Sequence, residues 1–173
     1  MINLDDGGEN ATCTTSAGGV NVIMQKERIL VPHDGNGYQI DVFGLHGGHS
    51  GGEIDKEHGN ANKLLARVLF TLNRRYGVQL SWIQGGIKDN AIPREASAAF
   101  VCQPDLETVA ACVQEMKPLF AKELEFSDAG VDVAAEEVVC DGVLWIADSE
   151  EVITPLMTLH NGVQPHSRHI EGL

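Results

Sequence analysis

Basic residues are scarce in this chain. Its 173 residues hold 12 Lys plus Arg against 25 Asp plus Glu, a formal net charge of -13. Such an imbalance gives no bulk electrostatic hold on nucleic acid or anionic lipid, so neither is an expected partner. Long apolar runs are missing too. None approaches the ~18 residues of a membrane span, and no basic start followed by an apolar stretch suggests a signal peptide. Cysteines are few: Cys13, Cys102, Cys112 and Cys140 lie far apart with no C-x-x-C pair. That spread fits reduced thiols in a cytoplasmic protein better than a disulfide framework. What is present is a hydrophobic fraction of 43%, enough for a core, in a length that suits one domain or one and a half small ones.

The acidity is concentrated. Residues 104–151 hold 13 acidic residues against Lys117 and Lys122, which accounts for -11 of the total. The simplest reading is a solvated face. The sharper one is a surface that repels unwanted partners or meets a basic one.

Hydrophobic periodicity predicts two long helices. From Asn60 to Tyr76, apolar residues recur at Ala61, Leu65, Val68, Leu69, Leu72 and Tyr76, one buried stripe at helical spacing. Gly77 follows, as expected just past a helix end. A second helix starts near Pro104-Asp105 and runs to about Leu124, with Leu106, Val109, Ala110, Val113, Met116 and Phe120 as its stripe. Extended segments are predicted at 20–30, 38–45, 79–84, 95–102 and 131–139, and a short helix at 150–160. The turn-rich Asp34-Gly35-Asn36-Gly37 between the first two favours a hairpin. From Tyr38 onward the order is strand, helix, strand, strand, helix, strand. The expected fold is therefore α+β: a ferredoxin-like two-layer sandwich, its antiparallel sheet bearing two helices on one face. An N-terminal hairpin and a short C-terminal helix complete it.

The densest polar cluster is His46-Gly47-Gly48-His49-Ser50-Gly51-Gly52-Glu53-Ile54-Asp55. It matches neither a P-loop nor a Gly-x-Gly-x-x-Gly dinucleotide turn. Its four glycines let the backbone approach a ligand or adopt positive φ. His46, His49 and Glu53, with His58 nearby, offer metal-ligand types, but His-x-x-His in a flexible loop does not converge as i, i+4 on a helix would. A histidine framed by Gly-Gly and Gly-Gly is well suited to present one side chain as a donor to an anion or oxyanion. A second cluster, Gly85-Gly86-Ile87-Lys88-Asp89-Asn90-Ala91-Ile92-Pro93, links two predicted strands. There Asn90 either shapes the turn or projects its carboxamide toward a ligand. At the amino terminus, Asp5, Asp6 and Glu9 follow a short apolar run; three acids alone do not make a site.

These segments resemble one family, the aminoacyl-histidine dipeptidases, co-catalytic zinc metallopeptidases related to carnosinases. The resemblance rests on Gly44 to Ile54, on Gly59-Asn60-Ala61-Asn62-Lys63-Leu64-Leu65-Ala66-Arg67, and on Gly85-Gly86 with Asn90-Ala91-Ile92-Pro93-Arg94-Glu95-Ala96. Ile2-Asn3-Leu4-Asp5, Ala17-Gly18-Gly19, Leu159-His160-Asn161-Gly162-Val163 and Ile170-Glu171-Gly172-Leu173 extend it along the chain. It implies that residues 1–19 end the first segment of a catalytic domain and that residues 20–173 are most of an inserted lid and dimerisation domain. It implies a cytoplasmic homodimeric dipeptidase that cleaves Xaa-His dipeptides with two divalent metal ions, zinc being the expected ion. Asp5 matches a metal ligand. His49 matches a lid histidine that stabilises the oxyanion in the partner subunit, and Asn90 matches a substrate-contacting asparagine. His46 stands where the family pattern has an arginine. The family's His-x-Asp motif, bridging aspartate, paired glutamates and C-terminal histidine ligand are missing from these 173 residues, so the chain reads as a fragment that is inactive alone and holds no tightly bound ion. Two alternatives are a non-enzymatic homo-association module and a stand-alone metal-binding protein using His46, His49 and Glu53.

Overall fold

The structure, a computed structural model, describes residues 19–163. In chain order the elements are β1 (Asn36–Phe43), β2 (Gly48–His49), a 3₁₀ turn (Ile54–Lys56), α1 (Ala61–Tyr76), β3 (Gln79–Gly85), β4 (Ala91–Ile92), β5 (Ala96–Cys102), α2 (Leu106–Glu123), β6 (Asp132–Glu137) and α3 (Ile146–Thr158). Four strands form one sheet in the order β3-β5-β1-β6, and every neighbouring pair is antiparallel. This is the expected ferredoxin-like α+β arrangement.

Both long helices form where the periodicity puts them. Asn60 caps α1, its Oδ1 accepting the amides of Asn62 at 3.0 Å and Lys63 at 3.4 Å, as a short polar side chain does for otherwise orphaned helix amides. The buried face of α1 is Ala61, Leu64, Leu65, Ala66, Val68, Leu69 and Leu72. Asp105 caps α2 by accepting the Thr108 amide at 2.9 Å, and Val109, Cys112, Val113, Met116 and Phe120 face inward. These stripes close on Tyr38, Ile40, Val42, Leu80, Ala98, Phe100 and Val133 from the sheet to make one core.

The opposite face of the sheet is not bare. Ala99, Val101, Cys140 and Val143 cluster there, with Val31, Trp82 and Val138 packed against them. Almost every residue of β5 is consequently buried, which is why its sequence shows no polar alternation. The short C-terminal helix is α3, which starts earlier than expected, at Ile146. It is fastened to β3 by Ser149, whose Oγ accepts the Leu80 amide at 2.9 Å.

The expected N-terminal hairpin does not form. Residues 20–30 adopt no strand, and Val20, Val22 and Ile23 are exposed; only Val31 makes an isolated antiparallel bridge, to Val143. The reason is topological. β1 lies inside the sheet with β5 on one edge and β6 on the other, so no edge remains for a hairpin partner. Asn36 and Gly37, expected to turn, are instead the first residues of β1.

Candidate functional site

The two glycine-rich clusters meet. β2 and β4, too short to stand out in the sequence, pair antiparallel with Gly48 opposite Ile92 and His49 opposite Ala91. The Ser50 amide extends the ribbon by donating to the Asn90 carbonyl at 3.0 Å. His49 and Asn90, 41 residues apart in sequence, thus sit on one two-stranded projection, and both are exposed.

The histidine is held through one ring nitrogen. The amides of Gly51 and Gly52 both donate to His49 Nδ1, each at 3.0 Å. An amide can only donate, so Nδ1 is the acceptor and the neutral ring carries its proton on Nε2. The glycine frame therefore fixes the tautomer and leaves Nε2–H as a donor. Glu53 braces the turn: its Oε2 accepts the His49 amide at 2.9 Å and its Oε1 pairs with Lys56 Nζ at 2.7 Å. The Lys56 ammonium first, and the His49 amide second, hold the Glu53 carboxyl below its ordinary range. Gly48 has φ +145°, and a Cβ there would lie 2.8 Å from Glu53 Oε2, so this position needs glycine.

A cleft of about 650 Å³ opens beside the ribbon, lined by His46, Gly47, Gly48, Gly85, Arg94, Ser97 and neighbours. A second groove of about 510 Å³ includes Ser50, Asn60, Asn62, Asp89 and Asn161; Asn60 Nδ2 donates to Asn161 Oδ1 there at 2.6 Å.

The base of the loop is anchored by a residue that the sequence did not single out. Asp128 is fully buried. Its Oδ1 accepts the His46 amide at 2.6 Å and its Oδ2 accepts the Gly59 amide at 2.7 Å. Burial pushes this carboxyl up, but the Gly59 and His46 amides, with the Ser127 and His46 side chains, outweigh it and hold it below its ordinary value. Gly44 crosses the same turn at φ +80°, where a Cβ would lie 2.0 Å from the Gly130 carbonyl oxygen. No local pattern marks Asp128, because its partners lie 69 and 82 residues away.

His46, His49 and Glu53 do not converge as a metal site. His49 Nδ1 is taken by two amides, and Glu53 by its own loop and Lys56. Among the described residues the grouping with ligand geometry is His46, His58 and Asp128. Asp5 lies outside the described residues.

Fold and loops together define the class: a two-layer ferredoxin-like α+β domain with a glycine-framed histidine on a projecting ribbon. The chain belongs to the peptidase dimerisation domain family, which it matches over residues 40–127; homo-association is what that family's description denotes. It is 31% identical to the cytosol non-specific dipeptidase of Escherichia coli (strain K12) over 177 aligned positions, covering all of this chain and 36% of that protein. The crystal structure of aminoacylhistidine dipeptidase from Vibrio alginolyticus superposes with a TM-score of 0.77 at 33% identity, over 85% of this chain and 30% of that one. The chain thus spans about a third of the length of each relative. Among the described residues no helix is long and apolar enough to cross a membrane.

Proposed function

We propose that residues 20–173 are the lid and dimerisation portion of a cytoplasmic, metal-dependent dipeptidase that cleaves Xaa-His dipeptides, with residues 1–19 ending a catalytic segment. In this reading the domain pairs with a second copy and lends His49 to the partner's active site. The supporting observation is the tautomer: with Nδ1 held by the Gly51 and Gly52 amides, His49 Nε2 carries a proton it can direct at an oxyanion. A preorganised donor of this kind strengthens as charge develops on the scissile carbonyl oxygen and needs no reorganisation to do so. Asn90, on the paired strand end, would contact the same dipeptide through its carboxamide.

Two divalent ions, zinc being the expected kind, would activate water and polarise the carbonyl in such an enzyme. The described residues do not fit a two-metal centre, and Asp5 by itself cannot build one. The isolated chain is therefore expected not to hydrolyse dipeptides.

The test uses a dipeptidase that contains this domain. His49→Gln is expected to lower kcat on a Xaa-His dipeptide by about 10²–10³ with little change in KM. Mixing that variant with subunits inactivated in their own metal ligands should restore activity, since one site then has both its metals and a neighbour's His49. An unchanged kcat removes the role of His49. Absence of restoration in verified mixed dimers removes its action across subunits. Equal kcat/KM for dipeptides with and without C-terminal histidine removes the substrate preference.

A further inference from the structure

Beneath the ribbon lies a cluster that the proposed dipeptidase role does not use. His46 follows β1, His58 precedes α1, and Asp128 follows α2, so three separate segments converge on one point. One ligand-type atom from each lies within 4.8 Å of the others. His46 Nδ1 is 3.2 Å from Asp128 Oδ1, and His58 Nδ1 is 3.6 Å from Asp128 Oδ2. The ligand atoms of a tetrahedral ion with bonds of about 2.0–2.1 Å stand roughly 3.3 Å apart. Here the two distances run to different Asp128 oxygens and the three atoms lie within 4.8 Å, so a bound ion would draw them together by a small side-chain adjustment.

His58 supplies an independent observation. Its Nδ1 is the buried side-chain polar atom among the described residues that has no hydrogen-bond partner, and 3.6 Å to Asp128 is too long for one. Buried polar atoms are nearly always satisfied, and an orphan calls for an explanation such as an ion or a water. Asp128 adds the complementary demand. It is a fully buried carboxylate whose two oxygens each take one backbone amide, from His46 and Gly59. Those amides orient the carboxylate, and Oδ1 also meets the His46 ring Nδ1 at 3.2 Å, a contact that a bound ion would replace. Backbone bonds of this kind hold metal-ligating carboxylates in place. The His46 side chain is 66% exposed, which gives an ion a route from solvent.

We propose that His46, His58 and Asp128 form a binding site for one divalent transition-metal ion of the zinc type, with its fourth position open to water. Two imidazoles and a carboxylate are the donor set such ions take. The bound ion would pin the start of the His49 loop to the turns before α1 and after α2. The sequence expectation of no tightly bound ion rested on the missing ligands of the family's catalytic centre; the site proposed here uses none of those and draws its three ligands from this domain.

The test is metal titration of the chelator-stripped 173-residue chain, with Co²⁺ as a spectroscopic probe and Zn²⁺ as competitor. The expected result is one equivalent of Co²⁺ bound with the visible absorption of a four-coordinate site, displaced by Zn²⁺, and a melting temperature raised by Zn²⁺. His58→Gln and His46→Gln should each weaken uptake at least tenfold, while His160→Gln leaves it unchanged. Circular dichroism of the metal-free variants checks that they fold, and the exposed position of His46 keeps that variant informative should His58→Gln misfold. No stoichiometric uptake at micromolar metal overturns the proposal. So does uptake that survives His46→Gln and His58→Gln together in a folded chain.

Discussion

The Asn90 carbonyl accepts the Ser50 amide at 3.0 Å, and that bond joins two loops whose chemistry would otherwise be unrelated. Glu53 completes the unit by accepting the His49 amide from within the turn. Glu53→Ala is therefore expected to loosen the ribbon without unfolding the domain. Amide hydrogen exchange at His49, Gly51 and Gly52 should accelerate, while global stability stays within about 0.5 kcal/mol, the range of surface changes away from the core. Unchanged exchange at those three amides would show that Glu53 does not brace the histidine.

Asp128 links the same loop to the turn after α2, and its ionisation gives a pH signature. The native pKa lies below its ordinary value. The stabilisation is thus fully present above the unfolded value of about 3.9 and is lost as pH falls through the lower native one. Asp128→Asn cannot accept both amides with oxygen and should cost about 1–3 kcal/mol at pH 7. Urea unfolding of both metal-free chains should show that difference holding down to about pH 4 and closing below it. A difference that does not narrow in acid would place the effect in packing instead of charge.

Legibility followed range. Periodicity within α1 and α2 is a local property, and capping residues such as Asn60 and Asp105 stand next to what they cap, so both helices could be read directly. The strand order followed from the succession of elements. The hairpin failed because Asp-Gly-Asn-Gly favours a turn locally, while β5 and β6, whose paired residues lie 54 to 99 positions away, claim both edges of β1. At the site, the glycine frame around His49 was visible in sequence. The ribbon pairing it with Ala91 was not, since each strand has only two residues. Asp128 was invisible for the same reason: one acid among thirteen in residues 104–151, marked only by contacts that folding creates.

Lys63 is a further long-range tie. Its ammonium donates to the carbonyls of Leu156 and Met157, each at 2.8 Å, and to that of Leu159. It thereby satisfies orphan carbonyls at the end of α3 and complements the negative pole of that helix. Lys63→Met preserves most of the half-buried stem and removes the donors. The expected cost is about 1.5–3 kcal/mol, in line with hydrogen bonds to a charged group. Loss of stability should appear in denaturant unfolding, and exchange at the last turn of α3 should accelerate beyond the global change. An effect spread evenly over all helices would contradict a local capping role.

The thiols provide a chemical test of the core. Cys102, Cys112 and Cys140 are buried, and burial pushes the Cys102 thiol up to about 12. Burial likewise raises Cys112, partly offset by Arg75, and Cys140. Only the thiolate attacks alkylating reagents. At pH 8 a thiol of that pKa is ionised to about one part in ten thousand, against roughly a quarter for an ordinary cysteine. In a Cys13→Ser background, iodoacetamide at pH 8 should therefore leave the native chain unlabelled and modify three sites once urea unfolds it, as counted by mass spectrometry. Because labelling then requires opening, its rate should rise in Lys63→Met and Asp128→Asn in proportion to their lost stability. Rapid native labelling at Cys102 would contradict the packing of β5 against both layers.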